Sequence, residues 1–147
     1  MFNEVLAARV RRGDWNLPLP GEAVILDGKR SFFTAATLEP DTIARAAALD
    51  VHPSGPLPGR GANPATGEAL SVEGRALIGE SALADLLIAQ GLEHERRSLR
   101  LPVRECSWHF EDDALLLEFT LPRGTFATAV LHELLADAWD AGEGGED

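Results

Sequence analysis

The chain has 147 residues, with 13 Lys or Arg against 24 Asp or Glu, so it carries a formal charge of −11, and 45% of it is apolar. That apolar share excludes a disordered chain, and no apolar run exceeds four residues, far short of the roughly 20 that a membrane helix needs. A single cysteine, Cys106, excludes an internal disulfide framework and a multi-cysteine zinc site, and with no basic, apolar leader after Met1 the composition points to a cytoplasmic setting.

Phe2, Val5, Leu6 and Val10 recur at helical spacing, which predicts a helix over Phe2–Arg12 that Gly13 stops. No Ser, Thr, Asp or Asn precedes it as a cap, so the start reads as cut. After the Leu17-Pro18-Leu19-Pro20-Gly21 break, residues 23–26 and 31–34 flank Asp27-Gly28 and predict a small hairpin. Residues 41–49 form a short Ala-rich helix. Residues 51–67 hold four prolines and four glycines and read as a long loop, neither regular helix nor central strand.

Residues 66–77 and 81–90 predict two more helices, with Ser81 as an N-cap and Gly91 after the second. Residues 96–104 are a basic stretch. Residues 107–110 and 115–121, joined across Glu111-Asp112-Asp113, predict a hairpin. Pro122-Arg123-Gly124 turns the chain into a last helix, from Thr125 as N-cap to about Trp139. Residues 141–147 read as a disordered acidic tail.

Few constellations carry chemistry by themselves. Cys106 and His109 lie three apart, and on a strand such residues face opposite ways, which argues against a shared metal or a catalytic pair. Asp112-Asp113 is explained by turn chemistry. Arg96, Arg97 and Arg100 would neutralise a phosphate backbone, or pair locally with Glu93 and Glu95. Arg60 sits between Gly59 and Gly61, where backbone can approach a phosphate. Arg123, Gly124, Thr125 and Phe126 open the last helix, whose N-terminus suits an anion. Phe126 there either stacks on a base or packs into the core as an ordinary helix residue.

Several segments, in order, resemble one family, the TruD-type tRNA pseudouridine synthases. They are Phe2-Asn3-Glu4-Val5-Leu6-Ala7-Ala8-Arg9, Leu26-Asp27-Gly28, His52-Pro53-Ser54-Gly55-Pro56-Leu57, Gly59-Arg60-Gly61 and Thr66-Gly67-Glu68. Gly91-Leu92, Glu95-Arg96-Arg97-Ser98-Leu99-Arg100-Leu101-Pro102, Trp108, Asp112-Asp113 and the segment 121–128 continue the series. The resemblance implies isomerisation of a uridine in the D-arm region of tRNA, started by an Asp carboxylate, with no metal and no cofactor. It implies an α+β fold in which residues 1–100 are the later part of an insertion domain. Residues 101–140 are then the last β-hairpin and helix of the catalytic domain.

By the same resemblance Phe126 is an active-site aromatic, with Gly124 and Thr125 beside it. Arg60, Arg96, Arg97, Arg100 and Arg123 are the expected RNA contacts. The family's Gly-x-Lys-Asp motif, which holds the nucleophile, and its Asn-x-Phe-Gly-x-x-Arg-Phe-Gly motif are not found. The sole lysine, Lys29, is followed by Arg30. The resemblance therefore implies a fragment that is inactive alone and whose partners are tRNA and the missing amino-terminal half as a separate chain. The alternative is a non-catalytic RNA-binding or protein-interaction module. The strand-turn-helix after Leu101 should show an apolar face where its sheet neighbours are missing, and with it self-association or poor solubility.

Overall fold

The computed structural model describes the backbone of residues 1–142 and the side chains of residues 1–135. The chain divides into two compact units, Met1–Arg100 and Leu101–Asp147. Together they mix helices with small antiparallel sheets, an α+β class.

In the first unit, α1 (Phe2–Arg12) ends where Gly13 adopts φ 74°, a left-handed cap that a Cβ would disfavour. A three-stranded antiparallel sheet follows, in the order β2-β1-β3. Its strands are β1 (Glu22–Leu26), β2 (Phe32–Ala35) and β3 (Val51–His52). β1 is central, so Ala23, Val24 and Ile25 are buried in succession instead of alternating. α2 (Pro40–Ala47) starts with Pro40 in its first turn, where the missing N–H costs nothing. It closes over the sheet so that Val24, Ala35, Ala46 and Val51 form one core cluster, with Phe33 and Leu26 against it.

The Pro/Gly-rich stretch is not the loop that its composition predicts. It contains β3 and β4 (Ser54–Leu57). β4 pairs antiparallel with β5 (Glu95–Ser98), Gly55 opposite Arg97 and Pro56 opposite Arg96. In a two-stranded ladder each strand keeps a free edge, so Pro56 is tolerated without its N–H. Residues 95–98 are accordingly a strand, where the sequence reads only as a basic stretch. α3 (Gly67–Ala76) and α4 (Ser81–Ala89) lie between them in the chain. The residue before α4 is Glu80, so Ser81 is its first helical residue and not the cap. A second core cluster gathers Leu19, Ala65, Ala69 and Val72.

Two glycines are fixed by close approach. A Cβ on Gly21 would stand 2.1 Å from the Thr66 carbonyl oxygen, and one on Gly59 would stand 2.3 Å from the Glu93 backbone. Gly59 thereby lets the chain lie against residues 92–94, where the Arg60 amide donates to the Leu92 carbonyl at 2.7 Å and the His94 amide to the Arg60 carbonyl at 2.7 Å.

The second unit holds β6 (Arg104–Glu111), β7 (Ala114–Thr120) and α5 (Ala127–Gly142). β6 and β7 form an antiparallel hairpin turned at Asp112, whose φ of 50° fits an Asp in a tight turn. The ladder shifts register between Arg104 and Ser107, where Glu105 has φ 51°, a bulge that bends the strand. α5 begins at Ala127, two residues later than predicted, and includes Ala141 and Gly142, with no proline to stop it sooner. The rest of the predicted tail lies outside the described residues. Among the described residues no helix is long and apolar enough to cross a membrane.

Candidate functional site

The five arginines predicted to meet RNA divide into two kinds. β5 alternates outward Glu95 and Arg97 with inward Arg96 and Ser98. The Arg96 side chain is only 1% exposed. Its Nη2 donates to Glu73 Oε1 and the Ser54 carbonyl, each at 2.7 Å, and its Nε donates to Ser54 Oγ at 3.0 Å. Nη1 reaches Asn63 Oδ1 at 3.3 Å, and Asn63 in turn donates to Glu73 at 2.8 Å. Every nitrogen of this guanidinium, expected from the sequence to meet RNA, is engaged inside the unit.

Ser54 joins that network to a second buried pair. Its amide donates to Glu22 Oε1 at 2.9 Å and its hydroxyl to the Ala23 carbonyl. Glu22, fully buried in the central strand, also accepts from Arg9 at 3.1 Å and from the Leu19 amide at 2.7 Å. Burial pushes the Glu22 carboxyl up, and the Arg9 charge and the two amides pull the other way by favouring the carboxylate. α1, β1, β4, β5 and α3 thus meet through one polar network.

Arg100, also expected from the sequence to meet RNA, is likewise engaged inside the unit. Its Nη2 donates to the Ala46 carbonyl at 2.5 Å and the Val51 carbonyl at 2.7 Å, and its Nη1 to the Asn16 carbonyl at 3.1 Å. Its Nε donates to His52 Nδ1 at 2.9 Å. That donor leaves Nδ1 as the acceptor, so His52 Nε2 is the ring donor to Asp27 Oδ1 at 2.8 Å. Desolvation lowers the Arg100 basicity and the Asp27 charge opposes it. An apolar cleft of about 370 Å³ beside it is lined by Leu17, Pro18, Leu38, Ile43 and Ala47.

Arg97 and Arg60 remain on the surface. Arg97 is exposed and lies over the Phe2 ring at 5.3 Å, a cation–π contact. Arg60 is exposed, with Nε on the Ile88 carbonyl at 3.1 Å. In the second unit Arg123, Gly124, Thr125 and Phe126 form the turn before α5, with Gly124 at φ 85°. Phe126 is 72% exposed and does not pack into a core. The Thr125 hydroxyl donates to the Pro122 carbonyl at 2.6 Å, so it closes the turn and is not the predicted helix cap. Among the described residues no group of three or more His, Cys, Asp or Glu is placed to hold a metal ion.

The buried partners Glu22, Ser54 and Glu73 and the half-buried Asn63 were not legible as a set. They are scattered over the chain and share no motif. The Asp27, His52 and Arg100 segments do stand among the family-like pieces, though their contact does not follow from spacing.

Comparison with known proteins places this arrangement. The family profile described as tRNA pseudouridine synthase D (TruD) matches residues 1–134. The tRNA pseudouridine synthase D of Pseudomonas syringae is 46% identical over 136 residues, 92% of this chain and 38% of that protein. That of Azotobacter vinelandii is 46% identical over 143 residues, 97% of this chain and 40% of that protein. A solved chain from Methanosarcina mazei, described as a tRNA pseudouridine synthase D, superposes with a TM-score of 0.67 at 21% identity. It shares the fold over 90% of this chain and 35% of its own length. The chain thus spans about two-fifths of the length of these relatives, and it belongs to the tRNA pseudouridine synthase D family.

Proposed function

We propose that this chain is a portion of a tRNA pseudouridine synthase acting on a uridine in the D-arm region, and that polypeptide outside it supplies the nucleophilic Asp. In the isomerisation the N1–C1′ bond breaks, a C5–C1′ bond forms, the C5 hydrogen leaves as a proton and N1 takes up a proton. The reaction balances without a redox partner or a group donor. The observation that carries the reading is the family match over residues 1–134, taken with the single lysine, Lys29, and its neighbour Arg30 where the nucleophile motif needs Lys-Asp.

On this reading residues 1–100 belong to the insertion domain and residues 101–140 to the catalytic domain. Phe126 stacks on the target base, while Gly124 and Thr125 shape its approach. Arg60, Arg97 and Arg123 meet phosphates, whereas Arg96 and Arg100 hold the scaffold. The setting is cytoplasmic, where tRNA is available. The chain alone is inactive, because no placement of charge replaces a missing nucleophile. Tritium release from tRNA labelled at uridine C5 tests this. No release above background is expected from the chain alone, and sustained turnover would overturn the reading.

A further inference from the structure

The β1–β2 hairpin divides two neighbouring aromatic residues between its faces. Directly opposed residues of an antiparallel pair share a face, and the register sets Phe33 opposite Val24 and Phe32 opposite Ile25. Phe33 is spent on the core. It packs against the cluster of Val24, Ala35, Ala46 and Val51, and the Arg45 guanidinium lies over its ring at 5.7 Å. Phe32 stands on the other face and is 44% exposed, although its cross-strand neighbour Ile25 is buried.

Two cations stand at the same end of the hairpin. Lys29 and Arg30 form its tip, both exposed, and residues 28–38 contain no acid. Among the described residues neither makes an ion pair, whereas Arg9, Arg12, Arg45 and Arg96 each face a carboxylate. They precede the β2 ladder (Phe32–Ala35), so they are not the charges with which an edge strand guards its open side. The tip is also held in place. The Lys29 amide donates to the Leu26 carbonyl at 3.1 Å, the Leu26 amide to the Ser31 carbonyl at 3.1 Å, and Gly28 takes φ 67°. The Asp27 amide donates to the Asp50 carbonyl at 2.9 Å, and its carboxylate accepts from His52 Nε2 at 2.8 Å. A turn fixed in advance lowers the ordering cost of binding.

We propose that Lys29, Arg30 and Phe32 form an RNA contact, in which the two cations meet phosphates and an unstacked base lies on the Phe32 ring. One exposed ring between cations and a polar strand is too small an apolar patch to anchor a folded protein, while every base has a face that fits it. Naming tRNA as that RNA rests on the function proposed above.

Filter binding of labelled tRNA to the full 147-residue chain, between about 50 and 200 mM salt, separates the two kinds of contact. Lys29→Ala with Arg30→Ala should lower the log–log salt slope by about 1.4–1.8, and Lys29→Arg should leave it unchanged. Phe32→Ala should weaken binding about 5- to 100-fold with the slope unchanged, because stacking releases no counterion, and Phe32→Trp should retain binding. Arg75→Glu, on α3 and outside the hairpin, should weaken binding less than Arg30→Glu does. Circular dichroism melts check that each variant folds. The proposal is overturned if the chain retains no tRNA at about 50 mM salt, if the double substitution leaves the slope as it was, or if Phe32→Ala changes affinity by less than about twofold. Variants that keep tRNA retention but lose association with the separately produced remainder of the Pseudomonas syringae relative would assign the tip to protein, and overturn it too. Slopes and affinities that respond as stated, with no tritium release from that mixture, would keep this contact and sink the proposed function; release with a hairpin indifferent to substitution would do the reverse.

Discussion

Arg96 and Glu73 form a buried ion pair in the first unit. Their side chains are 1% and 5% exposed and meet at 2.7 Å. Removing one partner of such a pair strands the other charge in a low-dielectric interior, at a cost of about 3–5 kcal/mol. Arg96→Ala should therefore lower the urea midpoint sharply, and Arg96→Met with Glu73→Leu should recover much of the loss. A cost under about 1 kcal/mol for Arg96→Ala would contradict the buried role. Exposed arginines should behave otherwise. Arg97→Ala and Arg123→Ala should leave stability within about 0.5 kcal/mol, while each lowers the salt slope of tRNA binding by roughly 0.7–0.9.

His94 adds a pH dependence with a definite sign. Its Nε2 is buried without a hydrogen-bond partner. Burial, then the Arg96 charge, holds its basicity below the usual value of 6.5, with Glu73 opposing. The unfolded chain therefore binds the proton first as pH falls. The stability from the neutral ring is intact above about pH 6.5 and is lost on acidification below it. His94→Gln should flatten the melting temperature between about pH 7 and 5, and an unchanged slope would assign the acid sensitivity elsewhere. The division between buried and surface arginines was not legible in the run Glu95-Arg96-Arg97-Ser98 alone. It appears only when β5 pairs with β4 and turns alternate residues inward.

At the scale of elements, the close approach at Gly59 ties the Pro/Gly-rich stretch to residues 92–94. Gly59→Ala would drive a methyl into the Glu93 backbone at 2.3 Å, where no flexible side chain can yield. The expected result is a loss of at least about 1–3 kcal/mol and faster amide exchange in β4 and β5. Protection equal to the unsubstituted chain would show that the approach is slack. α1, the β1–β2 hairpin and the β6–β7 hairpin were legible, because hydrophobic period and turn residues are local signals. β3, β4 and β5 were not. Their pairing partners lie about 25 to 45 residues away, and prolines mask strands that survive only because each has a free edge.

For the whole molecule, the family was legible from ordered motifs, and the profile match over residues 1–134 bears that reading out. Charge separates the two units: the first is nearly balanced, with eleven cations against thirteen acids, and the second is strongly acidic. The formal charge of −11, taken alone, argues against a nucleic-acid binder. The acidity that carried that argument sits mainly in the unit with the apolar hairpin, while the surface arginines Arg60 and Arg97 lie in the other. Of the two places that residue type left open for Phe126, the core is excluded by its 72% exposure.

The most direct measurement is tritium release from C5-labelled tRNA by the mixture of this chain with the uncovered portion of the Pseudomonas syringae relative. The account predicts release that neither component gives alone, reduced by about 10- to 100-fold when this chain carries Phe126→Ala. A mixture that forms the complex but releases no tritium, or one indifferent to Phe126→Ala, would contradict it.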